Sequence, residues 1–285
     1  MGRIAIVTGG TRKDVSAMGT LAINIKDVMP DIADELIIFH DGINKRNQRL
    51  IQNIFPTKFI KFSFPLSFKD RRTNSSLRYF SSMVFCKYEC LKLLSEYDKV
   101  MWTDYDVVFL KDISELWNDK EGLAIVEDPN PLRGMFLDRV KNYKLDNFDL
   151  NQQGVCTPLF VVSRNIGNYM EYYEWCVKAT RNYAGCIYLP EQCIWSLAIQ
   201  KFGIKYSTID PKKYVCSVRE QYNECDDISI IHCVGRPKFW EGRENVHWQK
   251  YYDEWIAIGG NKYRKPLKEK LIELKNYGKG KHAKR

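Results

Sequence analysis

Short apolar runs alternate with longer segments of helical periodicity through the first third of the chain, and this alternation constrains the fold most strongly. Each apolar run has the length and the closing turn residues of a β-strand. Strands separated by helices form βαβ units, so we expect a single α/β domain with a mostly parallel central sheet that helices cover on both faces. The predicted strands are Ile4–Val7, Glu35–His40, Lys58–Phe62 and Lys99–Thr103. The first predicted helix follows Thr11 and continues to about Val28, and the others span residues 45–54 and about 75–94, the last capped by Ser75 or Ser76.

Ligands of such sheets bind beyond the carboxyl ends of the strands. The polar segments at those ends are Thr8–Thr11, Asp41, Asp104–Asp106 and Glu127–Asp128. The first of them resembles the start of a dinucleotide-binding turn. That turn needs further glycines, whereas residues 13–15 are Lys, Asp and Val, so the sequence excludes a dinucleotide fold.

The net charge of +9 is concentrated at the C-terminus. Residues 262–285 hold ten Lys or Arg and two Glu, a net of +8, which leaves +1 for residues 1–261. A balanced body lacks the basic face that nucleic-acid binding needs, so we predict no nucleic-acid partner. In the tail, Leu267, Leu271 and Leu274 recur at helical spacing among lysines, which predicts a basic amphipathic helix with a peripheral membrane contact.

Three features predict a cytoplasmic location. No apolar stretch is long enough to span a membrane, and the N-terminal run is broken too soon by glycines for a signal peptide. The nine cysteines are scattered, without a CxxC pair, which favours reduced thiols.

Asp104 and Asp106 follow an apolar strand and precede another apolar run. In an extended chain, carboxylates at i and i+2 point to the same side, and two adjacent carboxylates repel each other unless a cation lies between them. Hard oxygen ligands without a thiolate suit Mg²⁺ or Mn²⁺ that bridges to a phosphate. An Asp-x-Asp pair alone is also common in solvated turns.

A second group of residues follows a β-branched run near the C-terminus. His232 ends this run, and a loop with glycine and proline then presents Lys238 beside two aromatic residues. Taken singly, the histidine fits a hydrogen-bonded core residue and the lysine fits a solvated loop cation. Together they offer an imidazole ligand and an ammonium group for a metal-bound diphosphate.

These two motifs resemble those of glycosyltransferase family 8, which includes bacterial lipopolysaccharide galactosyl- and glucosyltransferases and glycogenin. Residues 98–117 resemble the family core YLDxDxxVxxDIxELW, and residues 232–240 are similar to HxxGxxKPW, with Phe239 in place of proline. The resemblance extends from Ile4 to about Trp255 and implies the GT-A fold, an α/β nucleotide-binding domain. We therefore expect a catalytic domain over residues 1–261 and a tail over 262–285.

The resemblance also implies roles for individual residues. Asp104, Asp106 and His232 match the metal ligands, for Mn²⁺ or Mg²⁺. Lys87 matches a family arginine that touches donor sugar and phosphate, and it lies in an apolar stripe where a lysine either extends to the surface or points at an anion. Asp128, after a predicted strand at 122–126, matches an acidic sugar-binding position. The remaining positions implied for the nucleotide and its diphosphate are Val7, Thr8, Gly9, Thr11, Tyr105, Gly235 and Lys238.

The sequence departs from the family at two donor-binding motifs. The strand NxGxxxxN appears as Cys156–Ser163, without the usual asparagine. The motif DQD appears as Glu191-Gln192-Cys193, which keeps the glutamine that faces the anomeric carbon and lengthens the preceding acid by one methylene. These departures leave open a donor sugar other than galactose or glucose.

The resemblance implies a retaining, metal-dependent glycosyltransferase that moves a sugar from a UDP-sugar to a glycan or glycolipid acceptor. Two alternatives remain open at this point: a sugar-nucleotide nucleotidyltransferase, and a glycan-binding domain without turnover. No carboxylate replaces Gln192 as a nucleophile, which favours front-face attack by the acceptor hydroxyl. The acceptor pocket is expected from residues 130–151 and 183–189.

Overall fold

The computed structural model describes residues 2–64, 66, 74–217 and 227–264. Ten strands lie within these residues, and they form two sheets. In chain order they are β1 (Ile4–Gly10), β2 (Glu35–His40), β3 (Thr57–Lys61), β4 (Lys99–Thr103), β5 (Val107–Phe109), β6 (Leu123–Pro131), β7 (Gln153–Ser163), β8 (Ser207–Thr208), β9 (Cys216–Ser217) and β10 (Ile230–His232).

The larger sheet has the strand order β3-β2-β1-β4-β7-β6-β8. Strands β3, β2, β1 and β4 pair in parallel, β7 is antiparallel to both β4 and β6, and β8 is parallel to β6. Six of the seven strands therefore run in one direction. The prediction of a mostly parallel central sheet is confirmed.

The helices among the described residues cover both faces of this sheet. Ile6 and Met101 face one buried cluster, whereas Val7 and Trp102 face the other, as the alternation of side chains along a strand requires. The helices are α1 (Val15–Val28), α2 (Lys45–Ile54), α3 (Ser75–Tyr79), α4 (Glu89–Leu93), α5 (Tyr169–Tyr183), α6 (Pro190–Phe202), α7 (Pro211–Tyr214) and α8 (Val246–Ala257), with several 3₁₀ turns between them.

The single helix predicted over residues 75–94 is wrong. Helix α3 ends at Tyr79, a 3₁₀ helix spans Ser82–Tyr88, and α4 follows. The break lies at Ser81, whose backbone is extended and whose side chain accepts a hydrogen bond from the amide of Met83. Serine in this conformation caps a new helix instead of continuing the old one. The cap of α3 is Asn74, not Ser75 or Ser76.

A small second sheet, in the order β5-β10-β9, positions the C-terminal motif. Strand β10 is antiparallel to β5, with His232 opposite Val107. This pairing places the histidine beside the residues that connect β4 to β5. The two motifs that are far apart in the sequence thus meet at one end of the central sheet.

The predictions about membrane spans, cysteines and the C-terminal tail have different outcomes. No described helix has the length and apolar character that crossing a membrane requires. The eight cysteines described form no disulfide. The predicted amphipathic helix with Leu267, Leu271 and Leu274 lies outside the described residues.

Candidate active site

The acidic pair occupies a bend between β4 and β5, at the carboxyl end of a central strand. The backbone across the pair is therefore bent, whereas the sequence analysis expected an extended chain there. The amide of Asp104 donates to the Pro158 carbonyl at 2.9 Å, and the indole Nε1 of Trp102 donates to Asp104 Oδ1 at 2.9 Å. These two bonds fix the first carboxylate at the sheet edge.

His232 joins the pair to form a three-ligand cluster. Its Nε2 lies 3.3 Å from Asp106 Oδ1 and 4.0 Å from Asp104 Oδ2. One ligand atom from each of the three residues falls within 4.8 Å of the others. Two carboxylates and an imidazole fit Mn²⁺ or Mg²⁺, and the set contains no thiolate that would favour a softer metal.

Lys87 lies between carboxylates from two distant parts of the chain. Its Nζ is 3.1 Å from Asp104 Oδ1 and 2.9 Å from Glu191 Oε1, and it also donates to the Thr157 hydroxyl at 3.2 Å. Although burial alone would lower the pKa of this lysine, the two carboxylates raise it above the ordinary value. The anions that this lysine contacts are thus side chains of the protein.

Lys238 is the counterpart of Lys87 on the other carboxylate. Its Nζ contacts Asp106 Oδ2 and donates to the Cys233 carbonyl at 2.8 Å. Burial would raise the pKa of Asp106, but His232 and Lys238 outweigh burial and hold it below its usual range. Gly235, in the same loop, has a φ of 73°, which a residue with a Cβ rarely adopts.

The carboxylate of Asp104 behaves differently from its neighbour. Burial raises its pKa above the ordinary value, the adjacent Asp106 charge adds to that rise, and Lys87 opposes it. The site therefore holds one carboxylate that is strongly ionised and one that is costly to ionise. A bound cation would relieve that cost.

The predicted nucleotide positions on β1 are mostly internal. Val7 and Thr8 are fully buried, and a Cβ at Gly9 would lie 2.4 Å from Cys86 Sγ. The amide and the hydroxyl of Thr11 both donate to Asp14, at 2.9 and 2.7 Å. These residues shape the end of the strand by packing, and their side chains lie outside the carboxylate cluster.

Tyr105 connects the β1 end to the C-terminal motif. Its ring packs at a centroid distance of 5.7 Å from Trp240. A Cβ at Gly10 would approach the Tyr105 ring to 2.8 Å. Gly10 is therefore required for close contact with an aromatic side chain, and the glycine pair that resembles a dinucleotide turn has a packing role.

The residues predicted to bind the donor sugar are Glu191, Gln192 and Asp128, and only Glu191 contacts Lys87 in the described hydrogen bonds. Glu191, in the first turn of α6, accepts hydrogen bonds from Lys87 and, at 2.9 Å, from Thr157. Its neighbour Gln192 has a buried Oε1 with no hydrogen-bond partner among the described residues. Asp128 is buried, and its Oδ2 accepts a hydrogen bond of 3.1 Å from the Sγ of Cys156.

Most of the chain matches the model of one known protein family. The family model described as glycosyl transferase family 8 matches residues 5–244, which is most of the chain. The chain belongs to glycosyltransferase family 8.

Solved structures agree with this family 8 assignment at the level of the fold. The galactosyltransferase LgtC, solved with donor and acceptor sugar analogues, is 13% identical with a TM-score of 0.60, over 93% of this chain and 98% of LgtC. The bifunctional glycosyltransferase WbbM is 14% identical with a TM-score of 0.59, over 95% of this chain and 51% of WbbM. GlyE of Streptococcus pneumoniae is 14% identical with a TM-score of 0.51, over 92% of this chain and 66% of GlyE. No curated protein sequence matches the chain.

The fold of this glycosyltransferase is thus GT-A, as in LgtC. Within it, the structure brings together Asp104, Asp106, His232, Lys87, Lys238 and Glu191.

Sequence reasoning missed Thr157 and Asp14, which hold Glu191 and Thr11 in place. Thr157 is fully buried and lies in the strand segment that was compared with the family motif. The sequence signal for its role was a residue with a hydroxyl group within the segment Cys156–Ser163.

Proposed function

We propose that the protein is a retaining, metal-dependent glycosyltransferase that transfers a hexose from a UDP-sugar to a glycan or glycolipid. The observation that carries this proposal is the cluster of Asp104, Asp106 and His232, whose ligand atoms lie within 4.8 Å of one another. Membership of family 8 supports a nucleotide-sugar donor and a divalent metal. A metal held there, Mn²⁺ by preference, would bind the diphosphate and offset charge on the leaving group.

The charges of the site favour a divalent cation together with a diphosphate. Asp104, Asp106 and Glu191 supply three negative charges, and Lys87 and Lys238 supply two positive charges, which leaves one negative charge. A divalent cation reverses that sign and makes the site attractive to an anionic donor. The two ammonium groups would then offset negative charge that develops on the departing UDP.

The same contacts favour front-face attack. Glu191 is held by Lys87 and Thr157, and Asp128 is held by Asn130 and Cys156, so neither carboxylate is placed as an unengaged nucleophile. The Oε1 of Gln192 is buried and has no hydrogen-bond partner among the described residues, so a substrate hydroxyl or the developing positive charge near the anomeric carbon would satisfy it. A second LgtC structure carries a glutamine-to-glutamate change that its description places in the active site, which supports a role for a glutamine here.

Two segments form the proposed acceptor side. The amide of Leu137 donates to the Cys186 carbonyl at 2.7 Å, and the amide of Tyr188 donates to the Met135 carbonyl at 2.9 Å. These bonds join residues 130–151 to residues 183–189, and Tyr188 remains about half exposed. We expect Tyr188→Ala to slow transfer to an acceptor while leaving hydrolysis of the donor unchanged.

The tail completes the proposal. Residues 1–261 form the catalytic domain, and residues 262–285 make a peripheral contact with an anionic membrane surface at its cytoplasmic face. Each lysine near such a surface contributes about 1 kcal/mol. Removal of residues 262–285 should abolish flotation with phosphatidylglycerol vesicles and spare donor hydrolysis. Flotation that survives the truncation contradicts this role.

Thermal unfolding with a panel of nucleotide-sugars tests the donor assignment. UDP-hexoses should raise the Tm in the presence of Mn²⁺ and not in EDTA, because the diphosphate is held through the cation. GDP- and CMP-sugars serve as controls for the base. Equal stabilisation by all three nucleotides, or by UDP-sugars in EDTA, contradicts the proposal.

A further inference from the structure

A second concave surface lies at the start of α1 and shares no lining residue with the candidate active site. Its volume is about 560 Å³. Half of its lining residues are basic, and none is acidic. The lining is made by Arg12, Lys13, Val15, Ser16, Arg46, residues 259–262 and Arg264.

The acidic residues nearest in sequence, Asp14 and Asp41, do not line the cavity, and both are engaged by local hydrogen bonds. Asp14 Oδ2 accepts both hydrogen bonds from Thr11, and Asp41 Oδ1 accepts from the amide of Arg12. Within the described ranges, no carboxylate forms an ion pair with Arg12 or Lys13. Five cations around one cavity repel one another, and an anion between them would relieve that repulsion.

The start of α1 offers neutral hydrogen-bond donors to the same cavity. The 14-residue helix begins at Val15, and the side chain of its N-cap residue, Asp14, does not cap it because that side chain is engaged by Thr11. The first amides of a helix without such a cap attract anions. The preceding basic residues add charge to this dipole.

Ser16 provides an independent indication of a ligand. It is about 1% exposed and lines the cavity, and its Oγ has no hydrogen-bond partner among the residues that the structure describes. A buried hydroxyl without a partner costs free energy, so such groups are normally paired. A ligand oxygen at the first turn of α1 would satisfy this hydroxyl.

We propose that this cavity binds a phosphate-bearing anion. The amides of Val15 and Ser16 and the Ser16 hydroxyl would donate hydrogen bonds to one phosphate group, and the surrounding guanidinium and ammonium groups would neutralise its charge. Arg46 is already oriented by a 2.7 Å hydrogen bond to the Gly259 carbonyl. The volume exceeds that of one phosphate, so a diphosphate or a lipid headgroup fits the same chemistry.

Titration of the full chain with inorganic pyrophosphate in EDTA tests the site, with amide NMR shifts as the readout. EDTA removes metal-dependent binding at Asp104. We expect the amides of Val15 and Ser16 to shift. Lys13→Glu with Lys262→Glu should weaken binding more than roughly tenfold. Ser16→Ala, which suits a helix, should weaken it several-fold.

The matched control reverses two exposed lysines elsewhere, Lys120→Glu with Lys178→Glu, and should bind pyrophosphate like the wild type. Competition with short-chain phosphatidylglycerol, kept below its micelle concentration and compared with short-chain phosphatidylcholine, then identifies the source of the phosphate without a contribution from vesicle binding by the tail. If phosphatidylglycerol displaces pyrophosphate and shifts the amides of Val15 and Ser16, the site takes a lipid headgroup. If pyrophosphate alone shifts these amides, the site takes a soluble phosphate. Unshifted amides of Val15 and Ser16, or equal binding by the charge-reversed variant and its control, would overturn the proposal.

Discussion

Replacing Lys87 with methionine should destabilise the fold far more than a surface charge deletion does. The Lys87 side chain is only 7% exposed, and its Nζ lies about equally close to Asp104 and Glu191, at 3.1 and 2.9 Å. Methionine fills a similar volume but leaves the buried Glu191 carboxylate, and the Asp104 carboxylate that is 25% exposed, without their cation. Removing one partner of a buried ion pair typically costs about 3–5 kcal/mol. We therefore expect Lys87→Met to lower the free energy of unfolding by about that amount.

The chain offers a matched control for this substitution. Lys58 and Glu96 form an ion pair of 2.8 Å, but their side chains are 41% and 50% exposed. Exposed pairs contribute about 0–1 kcal/mol, so Lys58→Met should be nearly neutral. Urea denaturation followed by tryptophan fluorescence at pH 7 measures both variants against the wild type. Adding Glu191→Gln to Lys87→Met should recover part of the loss, because one stranded charge is removed.

The loss should also depend on pH with a definite sign. Burial already raises the pKa of Asp104, and Lys87 opposes that rise, so the variant raises the pKa further. A carboxyl group with a raised folded pKa binds more protons folded than unfolded, and its stability contribution therefore falls as pH rises. The deficit of Lys87→Met should shrink as the pH is lowered from 7. Equal losses in Lys87→Met and Lys58→Met at pH 7 would refute the reasoning.

Three further predictions address packing, pH and donor choice. Gly9→Ala should cost about 1–3 kcal/mol by overpacking against Cys86 Sγ, and adding Cys86→Ala should recover part of it; additive losses in urea denaturation would contradict this contact. Burial lowers the pKa of His40 from 6.5, and its Nδ1 accepts from the amide of Ile43, so the folded state binds the proton less well than the unfolded state. Stability should therefore fall as pH drops below 6.5, and His40→Asn should flatten that fall relative to the wild type; identical pH profiles would rule it out. Glu191→Asp should change the ranking of UDP-sugars in donor hydrolysis more than it changes affinity for UDP, measured by calorimetry, and the reverse pattern would misplace this residue.

The elements that follow local rules were predictable from the sequence. Strands β2 and β4 and helix α2 have the predicted bounds, since apolar runs and turn residues decide them locally. The break at Ser81 was not predicted, because a serine within an apolar helical pattern reads as a tolerated interruption. Its extended backbone accompanies a hydrogen bond from the amide of Met83 to the serine side chain, a local alternative to the helix that the apolar pattern does not reveal.

The residues of the candidate site were predictable only where they lie within one sequence motif. Asp104 and Asp106 were identified from their position after a strand, and His232 from its position at the end of a β-branched run. Family resemblance then joined the three residues into one metal site. The contact of Lys87 with Glu191 joins residues 104 positions apart, and no local pattern encodes such a pairing. Strand β7 runs antiparallel to β4 and β6, and the direction of a strand within a sheet likewise depends on long-range partners that its local sequence does not encode.

Release of UDP from UDP-hexoses by the purified protein tests the central claim most directly. The protein stripped with EDTA should be silent, and added Mn²⁺ should restore turnover. Asp106→Asn should remain silent with Mn²⁺, because losing a contact that strengthens in the transition state costs about 3–4 kcal/mol, a factor of several hundred. Full activity of the Asp106→Asn protein in excess EDTA would contradict the metal site and the mechanism built on it.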